Sequence, residues 1–379
     1  MREAYLDNSA TTPVCPEAAQ KVLEMMTVHY GNPSSLHTKG LEAQNELTAA
    51  RAVLAEKLRC RTDELFFTSG GTEGNNLALF GAASARKRMG NRIVLSAVEH
   101  SSVMESAEQL EKEGFTVVRI GTDQTGKVDA EAFAAAVDEK TILVSMEMVN
   151  NETGAIQPVE CMAKAVRRKK APALVHIDAV QAFGKIPVYP QKLGAQLLTV
   201  SSHKIFGPKG CGALFVEKET RILPRTFGGE QEKKLRPGTE AAPLIAGFAA
   251  AAEAMPPFAE ALEAARGLRD FCVSELCKLD GIVLNSGEDA LPYVLNFSVP
   301  GIRSETMLHH LASHGVYVSS GSACAKGKKS HVLESMGLER ARLDSAIRVS
   351  FGHQNTKEDV EQLISALQEG MERLTRAKG

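Results

Sequence analysis

The feature that most constrains this chain is a series of seven short apolar runs, at residues 65–68, 92–97, 116–120, 141–146, 174–177, 197–201 and 212–216, with helical periodicity filling most of the gaps between them. Strands that are apolar throughout are buried on both faces. A chain that alternates them with helices folds into a largely parallel sheet covered by helices on each side, an α/β architecture. Ligands of such sheets sit beyond the carboxyl ends of the strands, so the residues that close these runs are the first to read for chemistry.

The alternation stops after an alanine-rich stretch at 240–255, which leads into Pro256-Pro257. Residues 258–278 are helical again, and a domain boundary is expected there. Beyond it the strand patterns at 293–299 and 346–351, a helix at 304–314 and an amphipathic helix at 357–376 imply a smaller α+β unit. A chain of 379 residues with 44% hydrophobic content is long enough for two or three cores. Its 44 basic and 46 acidic residues nearly cancel, which gives no bulk attraction for nucleic acid or an anionic membrane, and a small ligand suits it better. Neither an apolar signal core at the start nor a run of about eighteen apolar residues is present, so a soluble, cytoplasmic protein is expected. Seven cysteines, at 15, 60, 161, 211, 272, 277 and 324, form no C-x-x-C pair, which argues against a disulfide framework and against a cysteine zinc site. No metal site is expected.

Two of the runs close on chemistry. Lys204 ends Ser201-Ser202-His203-Lys204, and Asp178 stands 26 residues earlier in His176-Ile177-Asp178-Ala179-Val180-Gln181. Pyridoxal 5'-phosphate (PLP) needs an amine to form a Schiff base with its aldehyde and a carboxylate to keep its ring nitrogen protonated. The first run is followed by Ser69-Gly70-Gly71-Thr72-Glu73-Gly74-Asn75-Asn76 and a helix expected to begin about Asn76. Glycines, a helix amino terminus and the Thr72 hydroxyl make a phosphate cradle, although an ordinary turn reads the same way. The turn has neither a Walker lysine nor G-x-G-x-x-G spacing, which disfavours nucleotides. His100 closes the second run, where a neutral imidazole can stack on an aromatic cofactor and move protons. Asn151 lies in the asparagine-rich turn 149–154. Arg348 interrupts an apolar strand pattern, either facing solvent or offering a fork to a carboxylate. Cys324 stands in Ser319-Ser320-Gly321-Ser322-Ala323-Cys324-Ala325-Lys326-Gly327-Lys328-Lys329, a loop whose lysines favour a thiolate.

Taken in order, from Tyr5-Leu6-Asp7-Asn8-Ser9-Ala10-Thr11-Thr12-Pro13 through Gly31-Asn32-Pro33-Ser34-Ser35 to Ser345-Ala346-Ile347-Arg348, these segments resemble the NifS/IscS-type cysteine desulfurases, a class V, fold-type I branch of the PLP enzymes. The resemblance covers nearly the whole chain. It implies a homodimer with a large PLP domain at 14–257, whose mostly parallel seven-stranded sheet is flanked by helices, and a small α+β domain formed by 1–13 and 258–379. It also implies roles: Lys204 as the Schiff-base lysine and proton shuttle, Asp178 on the ring nitrogen, Gln181 on the ring oxygen, and His100 stacked on the ring. Gly71, Thr72, Ser201 and His203 resemble the phosphate ligands, and Thr239 matches the residue that reaches the phosphate in the neighbouring subunit. Asn151, at the cofactor, and Arg348 would hold the substrate's carboxylate. The implied reaction converts L-cysteine to L-alanine and leaves a persulfide on Cys324 for a sulfur-acceptor protein. Only 24 residues separate Cys324 from Arg348, fewer than in housekeeping iron–sulfur members, so iron–sulfur assembly and tRNA thiolation are both open as destinations. A class V aminotransferase or related lyase would share Lys204 and Asp178 without needing Cys324, and a non-catalytic sulfur-carrier scaffold would need neither.

Overall fold

The computed structural model describes residues 2–320 and 330–374. After β1 (Ala4–Tyr5) come two helices, α1 (Pro16–Thr27) and α2 (Thr38–Leu58). The chain then alternates through β2 (Leu65–Thr68), α3 (Gly71–Arg86), β3 (Arg92–Ser96), α4 (Ser101–Lys112), β4 (Thr116–Ile120), α5 (Ala130–Ala136), β5 (Thr141–Glu147), α6 (Glu160–Lys169), β6 (Leu174–Asp178), α7 (Pro190–Leu193), β7 (Leu197–Ser201) and β8 (Gly212–Val216). All seven expected runs are strands of one sheet, ordered β2-β8-β7-β6-β5-β3-β4. Strand β8 is antiparallel to both neighbours, and the other pairings are parallel.

Why these runs read as continuously apolar is visible in the packing. Successive side chains of a strand point to opposite faces, and here both faces are covered. Val94, Val144, Val175, Leu198 and Phe215 belong to one core, with Phe183, Phe248 and Leu54. Their neighbours Ile93, Leu143, Leu174, Leu197 and Leu214 belong to a second, against Leu77, Leu79 and Phe80 of α3.

The remaining elements are α8 (Ala242–Ala254), α9 (Phe258–Leu276), β9 (Val283–Leu284), β10 (Val294–Ser298), α10 (Ser304–Ser313), β11 (Val316–Tyr317), α11 (His331–Ser335), α12 (Arg340–Leu343), β12 (Ala346–Ser350) and α13 (Lys357–Arg373). Strands β12, β10 and β9 form an antiparallel sheet, while β1 pairs in parallel with β11, so the first residues of the chain join the last elements. A third core fills this region with Leu6, Phe297, Ile347, Val349, Val360, Leu363 and Leu367. The spacing of the last three on α13 is that of an amphipathic helix, and a Thr356/Asp359 capping box starts it.

Candidate active site

Strand β2 is antiparallel to β8, which is antiparallel to β7, so β2 to β7 all run in one direction and their carboxyl ends share one edge of the sheet. The turns leaving this edge carry Gly71 and Thr72, His100, Asn151, Asp178 and Gln181, and Ser201 to Lys204.

Helix α3 begins at Gly71, five residues before the expected start at Asn76. The string Gly-Thr-Glu-Gly-Asn-Asn has poor helix propensity, and tertiary packing overrides it. Gly70, at φ 147°, occupies backbone that favours glycine, and no side chain caps the helix. A Cβ on Gly71 would come within 2.8 Å of Val180 Cγ2. Over this uncapped terminus sits Ser201, whose Oγ is buried and without a partner, about where a Gly70 Cβ would approach to 3.9 Å. Thr72 is exposed. An uncapped helix terminus facing an unused buried hydroxyl fits an anionic group such as a phosphate.

Beside the cradle, a buried polar chain links three strands. His100 caps α4, and its Nδ1 accepts from Ser102 N at 3.1 Å, which leaves the ring proton on Nε2. Burial pushes the His100 pKa down against the opposing pull of Asp178, favouring the neutral ring. Asn75 donates to Ser102 Oγ at 2.9 Å and to Asp178 Oδ2 at 2.6 Å, while Asp178 Oδ1 accepts from Val180 N at 2.9 Å. Asp178 thus stands oriented by two donors. Next to it along the sheet edge are Glu147, paired in register with Asp178, and Glu99. Glu99 Oε1 accepts from Ser96 Oγ and from Glu147 N, both at 2.8 Å, and its Oε2 is buried without a partner. Burial raises both pKa values, that of Glu99 to about 8, which favours the uncharged form of each acid.

The lysine lies across from this chain. Lys204 Nζ donates to the carbonyls of Ser9 at 2.6 Å and Ala10 at 2.7 Å. Gln181 Nε2 donates to the same Ser9 carbonyl at 2.9 Å, and its Oε1 accepts from Lys185 Nζ at 3.0 Å. His203 Nδ1 meets Thr11 Oγ1 at 3.1 Å, and burial, with the charge of Lys204, pushes its pKa down to about 4. Phe206, two residues on, holds a φ of 64°, unusual for a bulky residue, and its ring lies 4.0 Å from that of His353.

Arg348 is buried on β12, so of its two expected orientations it takes the inward one. It donates to Asp7 Oδ1 at 2.7 Å and to the Asn151 carbonyl at 3.1 Å, which brings the two expected carboxylate ligands together, and its Nε is left without a partner. Cys324 lies outside the described residues. The residues flanking that stretch are anchored to this part of the site: Ser319 exchanges backbone hydrogen bonds with Arg348, and Ser330 Oγ donates to Glu152 Oε2 at 2.5 Å. Thr239 is exposed, three residues after Arg236, which pairs with Glu73 in the first turn of α3 at 2.8 Å.

Asp7, Ser9, Thr11, Asn75, Glu99, Glu147 and Lys185 were not singled out from sequence. The first three act across separations of 172 to 341 residues, which no local pattern reveals. Asn75 and Glu147 left a signal: a polar side chain inside an apolar helix and an acid closing an apolar strand.

The family model described as aminotransferase class-V matches residues 4–363. The chain is 40% identical to a putative cysteine desulfurase IscS 1 of Bacillus subtilis strain 168, over 99% of this chain and 100% of that protein. It is 38% identical to a cysteine desulfurase IscS 1 of Archaeoglobus fulgidus, covering 98% of this chain and 97% of the relative. A solved NifS-like protein superposes with a TM-score of 0.93 at 37% identity, covering 98% of this chain and 100% of the other. With its edge-mounted lysine and aspartate, its uncapped α3 terminus and its full-length likeness in sequence and in structure, the chain belongs to the aminotransferase class-V family, among the IscS/NifS-type cysteine desulfurases.

Proposed function

We propose that the protein is a PLP-dependent cysteine desulfurase that takes sulfur from L-cysteine onto Cys324 and releases L-alanine. The observation that carries this is the convergence, at one sheet edge, of the Lys204 amine, the doubly oriented Asp178 carboxylate and an uncapped α3 terminus facing the unpartnered Ser201 hydroxyl. Gly71, Thr72, Ser201 and His203 would hold the cofactor's phosphate, with Thr239 reaching it from the partner subunit. Asp178 would face the ring nitrogen, Gln181 the ring oxygen and His100 the ring face, and Lys204 would hold the cofactor covalently. When bound, PLP supplies an electron sink for the substrate's Cα.

The chain's own groups do the rest. Arg348 orients the substrate carboxylate beside Asn151 with a guanidinium that still has an unpaired N–H. The Lys204 amine takes the Cα proton, and the neutral His100, with its proton on Nε2, acts in acid–base steps nearby. Cys324 thiolate attacks the substrate sulfur; the S–S bond forms as the C–S bond breaks, the electron pair of that bond stays on the carbon side, one proton completes alanine's methyl group and another is returned to Cα. Five of the other thiols suit this step poorly. Burial pushes Cys60 and Cys272 up to about 12 and Cys161 up to about 11, and raises Cys15 and Cys211 as well.

We further propose the division into a PLP domain at 14–257 and a small domain at 1–13 and 258–379, supported by the pairing of β1 with β11. A homodimer is supported by the exposed apolar side chains Leu23, Met26, Val28, Tyr30, Leu36 and Leu41. No helix among the described residues is long and apolar enough to cross a membrane, and the free thiols suit the cytoplasm, where an iron–sulfur scaffold or a tRNA-thiolation enzyme would collect the sulfur. The deciding experiment is Cys324→Ser. The variant should keep the holoenzyme's near-visible absorbance and bind L-cysteine, while alanine formation falls by about 100-fold or more, since a hydroxyl neither attacks sulfur well nor stores a persulfide. Brief exposure of wild-type enzyme to L-cysteine should add one sulfur to the Cys324 peptide by mass spectrometry. Alanine production at near wild-type rate by the variant would sink the assignment.

A further inference from the structure

Lys185 is a buried cation that this mechanism leaves without a task. It lies one turn of chain after Gln181, its side chain is buried, and its amine sits over the Tyr293 ring at 5.9 Å. It lines a small cavity together with Lys204, Thr12, Phe206, Tyr293 and His353. Burying an amine is costly, and the cost rises when other cations stand close. Burial, then Lys204, then Arg348 push its pKa down to about 7. A lysine placed there at such cost for packing alone has an apolar replacement of nearly the same shape in methionine, and its hydrogen bond to Gln181 Oε1 shows what the amine contributes.

That bond decides which way a carboxamide points. The oxygen and nitrogen ends of glutamine are nearly the same size but opposite in hydrogen-bond sense. With the Lys185 amine on Oε1, the nitrogen end must face the other way, and there it donates to the Ser9 carbonyl, the same oxygen that receives the Lys204 amine. The N–H end of Gln181 is therefore held next to the reacting lysine. A donor at that place stabilises an anionic ring oxygen on the cofactor, whereas a flipped amide would present a second oxygen and oppose it.

We propose that Lys185 is a positioning residue that locks the Gln181 carboxamide with its N–H end toward the cofactor's ring oxygen, and so tunes the acidity of the bound cofactor. The proposal rests on the reading of Gln181 as the ring-oxygen partner. The groups facing Lys185 that titrate or carry charge are Lys204, Arg348, His203, Tyr293 and His353.

The test follows the near-visible absorbance of the holoenzyme against pH in wild type, Lys185→Met, Gln181→Leu and the double variant. Both single variants should move the midpoint upward, by about one pH unit for loss of a hydrogen bond to a charged oxygen, since each weakens the donor that favours the deprotonated form. In the Gln181→Leu background, the Lys185→Met shift should shrink to less than half, because a residue acting through Gln181 has nothing left to orient. Lys185→Gln, which keeps an N–H donor, should stay within about 0.3 units of wild type, and it supplies the same reading if the Met variant does not fold. An unmoved midpoint in Lys185→Met, an undiminished shift in the double variant, or a Lys185→Gln midpoint as high as that of Gln181→Leu would each overturn the role of Lys185 while leaving the desulfurase reading intact. If Gln181→Leu itself moved nothing, the assignment of Gln181 would fall and this proposal with it.

Discussion

Asn75 joins the two halves of the site that the cofactor would bridge, because one amide nitrogen serves both Ser102, which orients His100, and Asp178. All three side chains are buried or nearly so, and removing the amide leaves a carboxylate oxygen in a dry site without its donor. Asn75→Ala should therefore lower stability by about 1–3 kcal/mol in urea unfolding of the apoprotein. Its PLP should also dissociate more readily, as measured by absorbance on dilution, because Asp178 loses one of its two orienting bonds. A variant with wild-type stability and retention would show that Val180 N alone suffices. At this scale the sequence was legible in placement: Lys204, Asp178 and His100 stand at one sheet edge, and Arg348 turns inward beside Asn151. What could not be read were the partners. The carbonyls of Ser9 and Ala10 receive the Lys204 amine from almost two hundred residues away, and a backbone carbonyl carries no signature of its side chain.

At the scale of elements, the sheet was readable because burial on both faces leaves a continuous apolar run for every strand, and the observed ends differ from the expected ones by no more than a residue. Strands β1, β9 and β11, two residues each, are set by pairing partners and leave no pattern to read. Helix α3 shows the opposite failure. Its first turn reads as a loop because glycine there answers a different demand, the close approach of Val180 at Gly71 and the backbone angle at Gly70. That demand is testable. Gly70→Ala forces a side chain into a φ of 147° and should destabilise the protein by about 1 kcal/mol or more. Because the same backbone turn aims the α3 amide groups at the cradle, PLP affinity should fall with it, along with affinity for inorganic phosphate as a competitor. Lower stability with unchanged affinity for both would mean that the turn serves the fold and not the anion.

For the whole molecule, assembly and pH response both follow from groups already placed. If Thr239 completes the partner's phosphate site, mixed dimers of Thr239→Ala and Lys204→Ala chains hold both lesions in one site and none in the other. About half of the sites in such heterodimers should then regain wild-type cofactor affinity and turnover, and activity no higher than that of either parent would count against sharing. The pH response turns on buried groups whose protonation differs between folded and unfolded chains. Burial lowers His176 and His203 to about 4, so below the ordinary histidine range the unfolded chain binds protons that the native one refuses, and stability falls as pH drops. Glu99 and Glu152 are shifted the other way, to about 8 and about 7, so the native chain keeps protons that the unfolded chain releases. Their contribution is complete below the ordinary carboxyl range and is lost as pH rises toward 8. Lys185, lowered to about 7, then adds stability with rising pH between its own value and that of an ordinary lysine. Glu99→Gln isolates one of these opposing slopes. A carboxamide copies the protonated acid in shape and can still accept from Ser96 and the Glu147 amide, but it has no proton to lose. The fall in Tm of the apoprotein between pH 5.5 and pH 8.5 should therefore be smaller in Glu99→Gln than in wild type, with the two converging at the acid end. Parallel curves across that window would mean that Glu99 is already ionised beside Asp178, and that the sheet edge carries two negative charges where burial of Glu99 calls for one.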